Sequence, residues 1–269
     1  MKRTAALFLI TIFALSLATS SYAQFTMGSK NVAMGQAVTA MPDDRWAPFH
    51  NPALMPDHQH ASFFGIRYFG LPELTDVAAT TSYHSGWGTV GAGMFTYGDE
   101  RLRESQFRLA YGYEVFNVML GASANLHHMN ITGRFGSALA PSFDFGVAVE
   151  VYEGLIFGAR ATNFTRSTIG ADESDLPADL ALGLSYQLME RALLVTELYK
   201  DVDFDPSFRG GLEVRVLDML YLRGGLTHDH PETFTFGLGI EQEYWTVNVA
   251  VEQHSKFGLS PGIDFSILW

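Results

Sequence analysis

Apolar and polar residues alternate along most of the chain beyond residue 60, in segments of about 8–11 residues. The clearest segments begin at Phe116, Leu180, Phe234 and Trp245. In each of them one face is mainly Leu, Val, Ile, Phe and Ala, and the other is mainly Gly, Ala, Ser, Thr and Asn. A period of two indicates a β-strand, and this length suits a strand that crosses a bilayer at a tilt.

The same pattern predicts about fourteen strands. They lie near 60–69, 74–84, 87–97, 104–113, 116–128, 142–151, 155–164, 178–188, 191–200, 207–216, 219–227, 232–241, 244–254 and 262–269. An even number of strands is typical of a single-chain outer-membrane barrel.

The links between these segments alternate between tight and long. The tight links are near Ser85–Gly88, Glu114–Val115, Tyr152–Gly154, Met189–Arg191, Leu217–Asp218 and Gln242–Tyr244. The long links are near Gly98–Arg103, Met129–Ser142, Thr165–Pro177, Asp201–Ser207, His228–Glu232 and Ser255–Pro261. Short turns at one end and longer loops at the other predict an all-β fold, a transmembrane antiparallel β-barrel over residues 60–269.

A soluble β-sandwich or lipocalin-like barrel is the alternative fold. Its apolar face would point inward, and its outer face would be charged, whereas the polar face of these segments is mostly small and uncharged. Tyrosine and tryptophan recur near strand ends, as in the aromatic girdles of membrane barrels, although aromatic residues also simply favour strands. We include Phe64, Tyr68 and Tyr199 in the predicted girdle.

The chain begins like an exported protein. Lys2 and Arg3 precede an uncharged apolar run from Ala5 to Leu17, and Ser21-Tyr22-Ala23 suits cleavage before Gln24. We therefore expect residues 1–23 to be a signal peptide. The alternative is an uncleaved membrane helix, but the run is short for a span and no stop-transfer charges follow it. Together with the barrel, this predicts the cell outer membrane as the location and its lipid as a partner.

Composition restricts the function further. The 269 residues contain no cysteine, so a lipid anchor on cysteine and a disulfide framework are both excluded. The formal net charge of −12 argues against a nucleic-acid partner.

The last predicted strand alternates outward at Ile263, Phe265, Ile267 and Trp269. A C-terminal amphipathic strand that ends in an aromatic residue resembles the signal read by the barrel-assembly machinery, with Phe265 and Trp269 as the signal residues. The alternative is an ordinary final strand.

Residues 24–59 do not have a strand pattern. Three prolines fall between Trp46 and Pro56, which excludes regular strand or helix there, yet the segment is too apolar for a free tail. We expect it to fold into the barrel as a plug, with Asn51-Pro52-Ala53-Leu54 turning towards the first strand near the periplasmic side.

The same segment resembles a known group. Ala33-Met34-Gly35-Gln36-Ala37, then Asp43-Asp44, then His50-Asn51-Pro52-Ala53-Leu54 resemble the opening of the FadL/TodX-like superfamily, and most closely its PorV/PorQ branch. The resemblance implies an outer-membrane barrel with an N-terminal plug whose motif residues are Met34, Gly35, Asp43, Asp44, Asn51, Pro52, Ala53 and Leu54. FadL-like members pass hydrophobic molecules across the outer membrane, and PorV-like and PorQ-like members act in type IX secretion.

Other clusters of polar residues are weaker. His50, His58 and His60 lie close together, as do His228, Asp229 and His230, but solvated loop histidines explain them better than a metal site does. Asp172, Glu173 and Asp175 suit a solvated loop better than a Ca²⁺ site. We expect no metal and no cofactor. We expect acidic residues of the lumen to pair with arginines, because charged pairs inside a barrel usually hold a filled lumen together. The predicted acids are Asp144, Glu150, Glu213 and Glu241, and the predicted bases are Arg108, Arg160, Arg209, Arg215 and Arg223.

Catalytic motifs are missing from the sequence, which has no Gly-x-Ser-x-Gly, His-Glu-x-x-His or phosphate loop. We therefore expect a protein that is not an enzyme. Two functional hypotheses remain. The first is a component of type IX-like secretion or surface assembly with secretion-system subunits as partners, which the short chain, the charged lumen and the PorV/PorQ resemblance favour. The alternative is a passive channel for small hydrophobic molecules, which requires an apolar path past the plug and a gap in the wall.

Overall fold

The computed structural model describes residues 26–132, 136–228 and 232–269. Over these residues, fourteen antiparallel strands close into one barrel, as the alternation predicts. The predicted signal peptide, residues 1–23, lies outside the described residues. No helix in the described part of the chain is both long enough and apolar enough to span a membrane.

The barrel strands are numbered in chain order together with one small hairpin. They are β1 His60–Arg67, β2 Thr75–Ser85, β3 Gly88–Gly98, β4 Leu102–Val115, β5 Val118–Ile131, β6 Gly136–Tyr152, β7 Leu155–Thr162, β10 Asp179–Leu188, β11 Ala192–Asp201, β12 Ser207–Leu217, β13 Leu220–His228, β14 Thr233–Gln242, β15 Trp245–His254 and β16 Gly258–Leu268. The hairpin of β8 Thr168–Ile169 and β9 Ser174–Asp175 belongs to the loop between β7 and β10 and is a separate two-stranded sheet.

Every tight link of the sequence pattern is a turn at one end of the barrel, which we take as the periplasmic end. The longer links lie at the opposite end, called the loop end below. Three predicted boundaries are wrong. β5 continues to Ile131 and β6 begins at Gly136, where the sequence predicted a long loop, and β16 begins at Gly258 instead of 262.

Two prolines explain these errors. Pro141 pairs with Leu126 of β5, but β6 pairs with β7 only from Phe145 onward. Pro261 of β16 pairs with Val251 of β15, but the pairing of β16 with β1 extends only as far as Gly262 of β16. Each proline therefore stands where its strand has one barrel neighbour, and strand edges tolerate a missing N–H.

Strand pairing is continuous around the wall. Each strand pairs with both neighbours, and β1 closes the barrel against β16 with Phe63 opposite Phe265. The register shifts only near the periplasmic turns, at Glu150/Tyr152 and at Arg215/Leu217. The ladders of the described residues thus leave no lateral gap of the kind that the channel hypothesis requires.

The barrel has an apolar outside and a polar inside. Leu180, Leu182, Phe234 and Phe236 are 59%, 49%, 47% and 59% exposed, although a soluble protein would bury such side chains. The opposite positions are buried and mostly small or polar; examples are Ala181, Ser123, Asn125, Thr235 and Asn248. Only a hydrocarbon solvent makes this arrangement favourable, so the structure confirms a membrane barrel of the outer-membrane type and its predicted location.

Not every predicted girdle residue faces lipid. Phe64 and Tyr199 are 3% and 7% exposed and point into the lumen. Tyr199 lies under the Arg209 guanidinium, 3.9 Å from the ring centroid. At the chain end, Phe265 and Trp269 face outward with 39% and 64% exposure, and the Trp269 N–H donates to Gln59 O over 3.2 Å. Their role as an assembly signal stays a prediction.

Candidate functional site

The N-terminal segment, residues 26–59, lies within the barrel interior. It contains a short helix, α1 (Ser29–Ala33), and one turn of 3₁₀ helix (Pro52–Leu54) joined by irregular backbone. Its apolar side chains are buried, including Met27, Val32, Met34, Val38 and Met41. The rest of its backbone needs partners from the barrel, and the inward-facing residues of the strands supply them.

A row of inward-facing glycines lets the segment approach the wall. This glycine belt consists of Gly112, Gly121, Gly146, Gly158, Gly183, Gly211 and Gly225. Gly112 pairs with Gly121 and Gly121 with Gly146; likewise Gly158 pairs with Gly183, and Gly211 with Gly225.

At each belt position the N-terminal segment fills the space that a side chain would take. A Cβ added at Gly121 would lie 2.2 Å from Ala53 N and Pro52 C, and one at Gly225 would lie 2.2 Å from Gly35 N. One at Gly158 would lie 2.3 Å from Thr39 O. The belt therefore runs beneath the segment from β4 to β13, and only residues without a side chain fit there.

Two buried carboxylates hold the segment by its backbone. Glu197 Oε2, on β11, accepts the N–H groups of Val38 and Thr39, each over 2.8 Å. Asp264 Oδ2, on β16, accepts the Ser29 N–H over 2.5 Å and the Lys30 N–H over 3.4 Å at the start of α1. Hydrogen bonds from backbone N–H to an ionised acceptor are among the stronger ones.

Asp44 is the centre of a polar network inside the segment. Its carboxylate accepts from Asn31 Nδ2 over 2.7 Å, from Trp46 N–H over 2.9 Å and from His50 Nδ1 over 2.7 Å. His50 Nε2 in turn accepts the Met27 N–H over 3.2 Å, so the ring carries its proton on Nδ1. Burial raises the pKa of Asp44, but His50, Asn31 and the Trp46 N–H outweigh it, and the pKa lies below its usual value.

The plug-motif residues are distributed along this segment. Met34 and Gly35 cross the glycine belt at β12 and β13, and Gly35 has a φ of 66°. Asp43, which also has a positive φ, lies 3.6 Å from the His58 ring through Oδ1. The predicted roles of these residues as a plug stay a prediction.

The Asn51–Leu54 turn lies near the periplasmic end. Asn51 Oδ1 accepts the Ala53 N–H over 3.1 Å, and Asn51 Nδ2 donates to Thr39 O over 2.7 Å. Pro52 and Ala53 rest on Gly121, three residues beyond the start of β5. Asn51 thus caps the 3₁₀ turn and ties it to the preceding part of the segment.

Ion pairs occupy much of the remaining lumen. Of the predicted pairs, Arg108 Nη1–Asp144 Oδ2 is 2.8 Å and Arg223 Nε–Glu213 Oε2 is 2.5 Å. Glu241 pairs instead with Arg45 of the N-terminal segment over 2.7 Å.

Two of the predicted luminal charges bind backbone groups near the periplasmic turns instead of an opposite charge. Glu150 caps a periplasmic turn by accepting the Gly154 N–H, and Arg215 donates to Glu190 O. Sequence reasoning missed Asp179, Glu197 and Asp264, although each lies at a polar position of an alternating strand.

A cavity of about 130 Å³ opens between the N-terminal segment and the loop end. Met27 and Phe49 of the segment contribute its inner side, with Phe95 of β3 beside them. Met129, Ile169, Leu176 and Pro177 continue the apolar lining toward the loop that carries β8 and β9. The opposite lining is polar: Gln106, Arg108, His127, Ser142, Asp144, Arg160, Thr162, Asn163 and Asp179, with Glu104 and Asp175 nearer the loops.

The histidines near the segment are structural. His50 and His60 are 2% and 0% exposed, so the expectation of solvated histidines is wrong for both. His60 Nε2 lies 2.9 Å from Arg45 O and its Nδ1 2.8 Å from Ser82 Oγ. Within the described ranges, no three His, Asp or Glu side chains converge as metal ligands. Asp229 and His230 lie outside those ranges.

Comparisons with known proteins find the same fold. No family model matches the chain, and no curated protein matches it. Among solved structures, the Pseudomonas putida toluene transporter TodX superposes with a TM-score of 0.67 at 12% identity, covering 93% of this chain and 98% of TodX. The Ralstonia pickettii toluene transporter TbuX gives 0.62 at 14% identity, covering 90% and 97%. A Pseudomonas aeruginosa FadL homologue gives 0.59 at 12% identity, covering 91% and 98%.

The chain has a FadL/TodX-like fold. This agrees with the superfamily that the N-terminal motif resembles. None of these three structures is described as a PorV or PorQ protein.

Proposed function

We propose that the protein is a passive outer-membrane channel for small hydrophobic molecules and that it catalyses no reaction. The observation that most supports this proposal is the cavity at the loop end. In a lumen lined largely by polar and charged groups, Met27, Phe49 and Phe95 gather on one side of this cavity with Met129, Ile169 and Leu176. An apolar surface at the entrance of a polar lumen favours the capture of apolar solutes.

The size of the cavity supports the same solute class. A dry apolar cavity of about 150 Å³ holds one benzene molecule. The cavity here, about 130 Å³, is similar and opens toward the loops. Two of the solved structures that share the fold are described as toluene transporters.

The N-terminal segment separates the cavity from the periplasmic end. The described wall has no lateral gap, so the route that we propose differs from the route through the wall that the sequence led us to expect. A solute that enters the cavity continues only if this segment shifts. Apart from its peptide link to β1, it is held to the wall by hydrogen bonds and ion pairs, such as Lys30 with Glu213 at 3.9 Å. A partial shift would join the cavity to the ionic region at the periplasmic mouth.

Transport is tested by filling the cavity. Met129→Trp adds a large side chain to the cavity lining, and Leu126→Trp adds the same side chain to the lipid face of the same strand. Each form is expressed in a host that lacks channels of this fold, and the initial uptake rate of radiolabelled toluene is measured in intact cells. We expect the wild type and Leu126→Trp to raise uptake above the vector control and Met129→Trp to return it to that control.

If Met129→Trp left uptake unchanged, the cavity would not be part of the transport path. A wild-type rate equal to that of the vector would refute the channel. If the same protein, isolated from its own cells, then brought down secretion-system subunits, the PorV/PorQ hypothesis would replace the channel.

A further inference from the structure

The polar side of the loop-end cavity contains hydrogen-bond donors that the protein does not use. Arg160 is buried, with 2% of its side chain exposed, and neither its Nε nor its Nη2 has a hydrogen-bond acceptor in the protein. Arg108 Nε is also without an acceptor, although Arg108 Nη1 donates to Pro48 O, Phe49 O and Asp144. Arg108 and Arg160 both belong to the cavity lining, and their three donor atoms without acceptors are buried.

The ion pairs of Arg160 do not replace these hydrogen bonds. Its Nη2 lies 3.5 Å from Asp179 Oδ1 and 4.0 Å from Glu197 Oε1, close enough for charge attraction but without hydrogen-bond geometry. Buried donors nearly always have acceptors in folded proteins, and an unmade bond is costly. A cavity with such donors is suited to a molecule that brings an acceptor.

Charge balance argues against an anion. Around the cavity and behind it, Arg108, Arg160 and Arg209 are matched by Asp144, Asp179 and Glu197. The local network therefore has no positive charge to spare, and Glu104 and Asp175 add negative charge on the loop side. A carboxylate would lose its hydration without gaining a net counter-charge.

We propose that the cavity selects a neutral molecule of about one ring that carries an oxygen acceptor, such as an aromatic ketone. Its ring lies against Met27, Phe49 and Met129, and its oxygen accepts from the free donors of Arg160 and Arg108. A plain hydrocarbon of the same shape satisfies the apolar side only, and it excludes water from the guanidiniums without replacing its hydrogen bonds. This inference rests on the proposed function, because it names the solute class of the same cavity.

The test uses three probes of nearly equal shape: acetophenone, which is neutral with an acceptor; cumene, which has none; and benzoate, which is an anion. Binding to the purified full-length protein is measured by titration calorimetry, with Met129→Trp as the control for partition into detergent. We expect acetophenone to bind about tenfold more tightly than cumene, and benzoate more weakly than acetophenone.

Arg160→Lys keeps the positive charge beside Asp179 and Glu197 but removes the guanidinium fork. We expect it to lower acetophenone affinity about tenfold, to that of cumene, and to leave cumene affinity unchanged. Arg108→Lys provides a second variant, and the three wild-type affinities decide the question even if neither variant folds.

The outcomes separate the two proposals. Equal binding of acetophenone and cumene, both abolished by Met129→Trp, would overturn the acceptor inference and leave the hydrophobic channel standing. Tightest binding of benzoate would also overturn it. No cavity-dependent binding of any probe would count against both.

Discussion

At the scale of single residues, the lumen is built on charges whose partners are distant in sequence. The Asp44 carboxylate is bound instead by Asn31, Trp46 and His50, which all belong to its own segment. This makes Asp44 the residue whose contribution to the fold of the segment can be measured by itself.

The contribution of Asp44 has a defined pH dependence. Because the pKa is lower in the folded than in the unfolded state, the stabilisation is complete above the unfolded value of about 4 and is lost as the pH falls through the folded value. Asp44→Asn should destabilise the protein by about 1–3 kcal/mol at pH 7, since it exchanges the charged acceptor for an amide. The difference between the two proteins, from urea unfolding in detergent, should stay constant down to about pH 4 and shrink below it.

A difference that stays constant below about pH 4 would contradict the assignment of the effect to the charge on Asp44. Asp172→Asn, in the exposed loop that joins β8 to β9, is the matched control and should show no such difference.

At the scale of elements, alternation along a strand fixes which side of the wall a residue lines. Period two was sufficient to predict fourteen strands, all six tight turns and the outward sets that begin at Leu180 and Phe234. It could not place the first residues of β6 and β16. Each of these strands contains a proline, and a strand accepts a proline only where one of its two neighbouring strands is absent.

The glycine belt shows a second limit of prediction from the sequence. Gly112, Gly121 and Gly146 read as small lumen-facing residues of three separate strands, and their alignment follows from register, which the sequence does not state. Likewise, the bonds from Val38 and Thr39 to Glu197 join residues about 160 positions apart. Sequence reasoning found the apolar segment but not the contacts that hold it.

Gly121→Val tests the belt. The added side chain would overlap the backbone at Pro52 and Ala53, so we expect a loss of about 1–3 kcal/mol and a displaced N-terminal segment. Limited trypsin digestion should then cleave after Lys30 and Arg45 faster than in the wild type. Ala122→Val, which adds similar bulk to the lipid face of the next residue, should leave the digestion unchanged. Slow cleavage in both variants would mean that the belt tolerates side chains and does not position the segment.

At the scale of the whole molecule, the barrel and the N-terminal segment have different roles. The barrel presents Leu, Val, Ile and Phe to lipid, and the segment covers the polar groups inside. Fourteen strands lie between the eight of side-chain-filled barrels and the sixteen of porins with an aqueous channel, so an interior of this width needs additional filling to exclude water.

Removal of residues 24–48 should therefore open the lumen. The shortened protein keeps Phe265 and Trp269, so we expect it to insert, but the luminal groups that faced the segment become hydrated. In planar bilayers its conductance should be well above that of the intact protein, and small polar solutes should pass. If both proteins conduct equally, the segment does not close the pore, and its interpretation as a plug must be abandoned.

The position of Asp264 has a consequence for assembly in the cell. This acceptor for the start of α1 lies on the last strand, while α1 itself precedes the first strand, and β1 meets β16 only when the cylinder is sealed. A nascent chain thus lacks the final anchor of its N-terminal segment until its C-terminal end has been synthesised and paired. We expect the segment to be enclosed while the barrel closes and not to be inserted afterwards. Closure of the barrel and packing of the N-terminal segment would then occur in a single step.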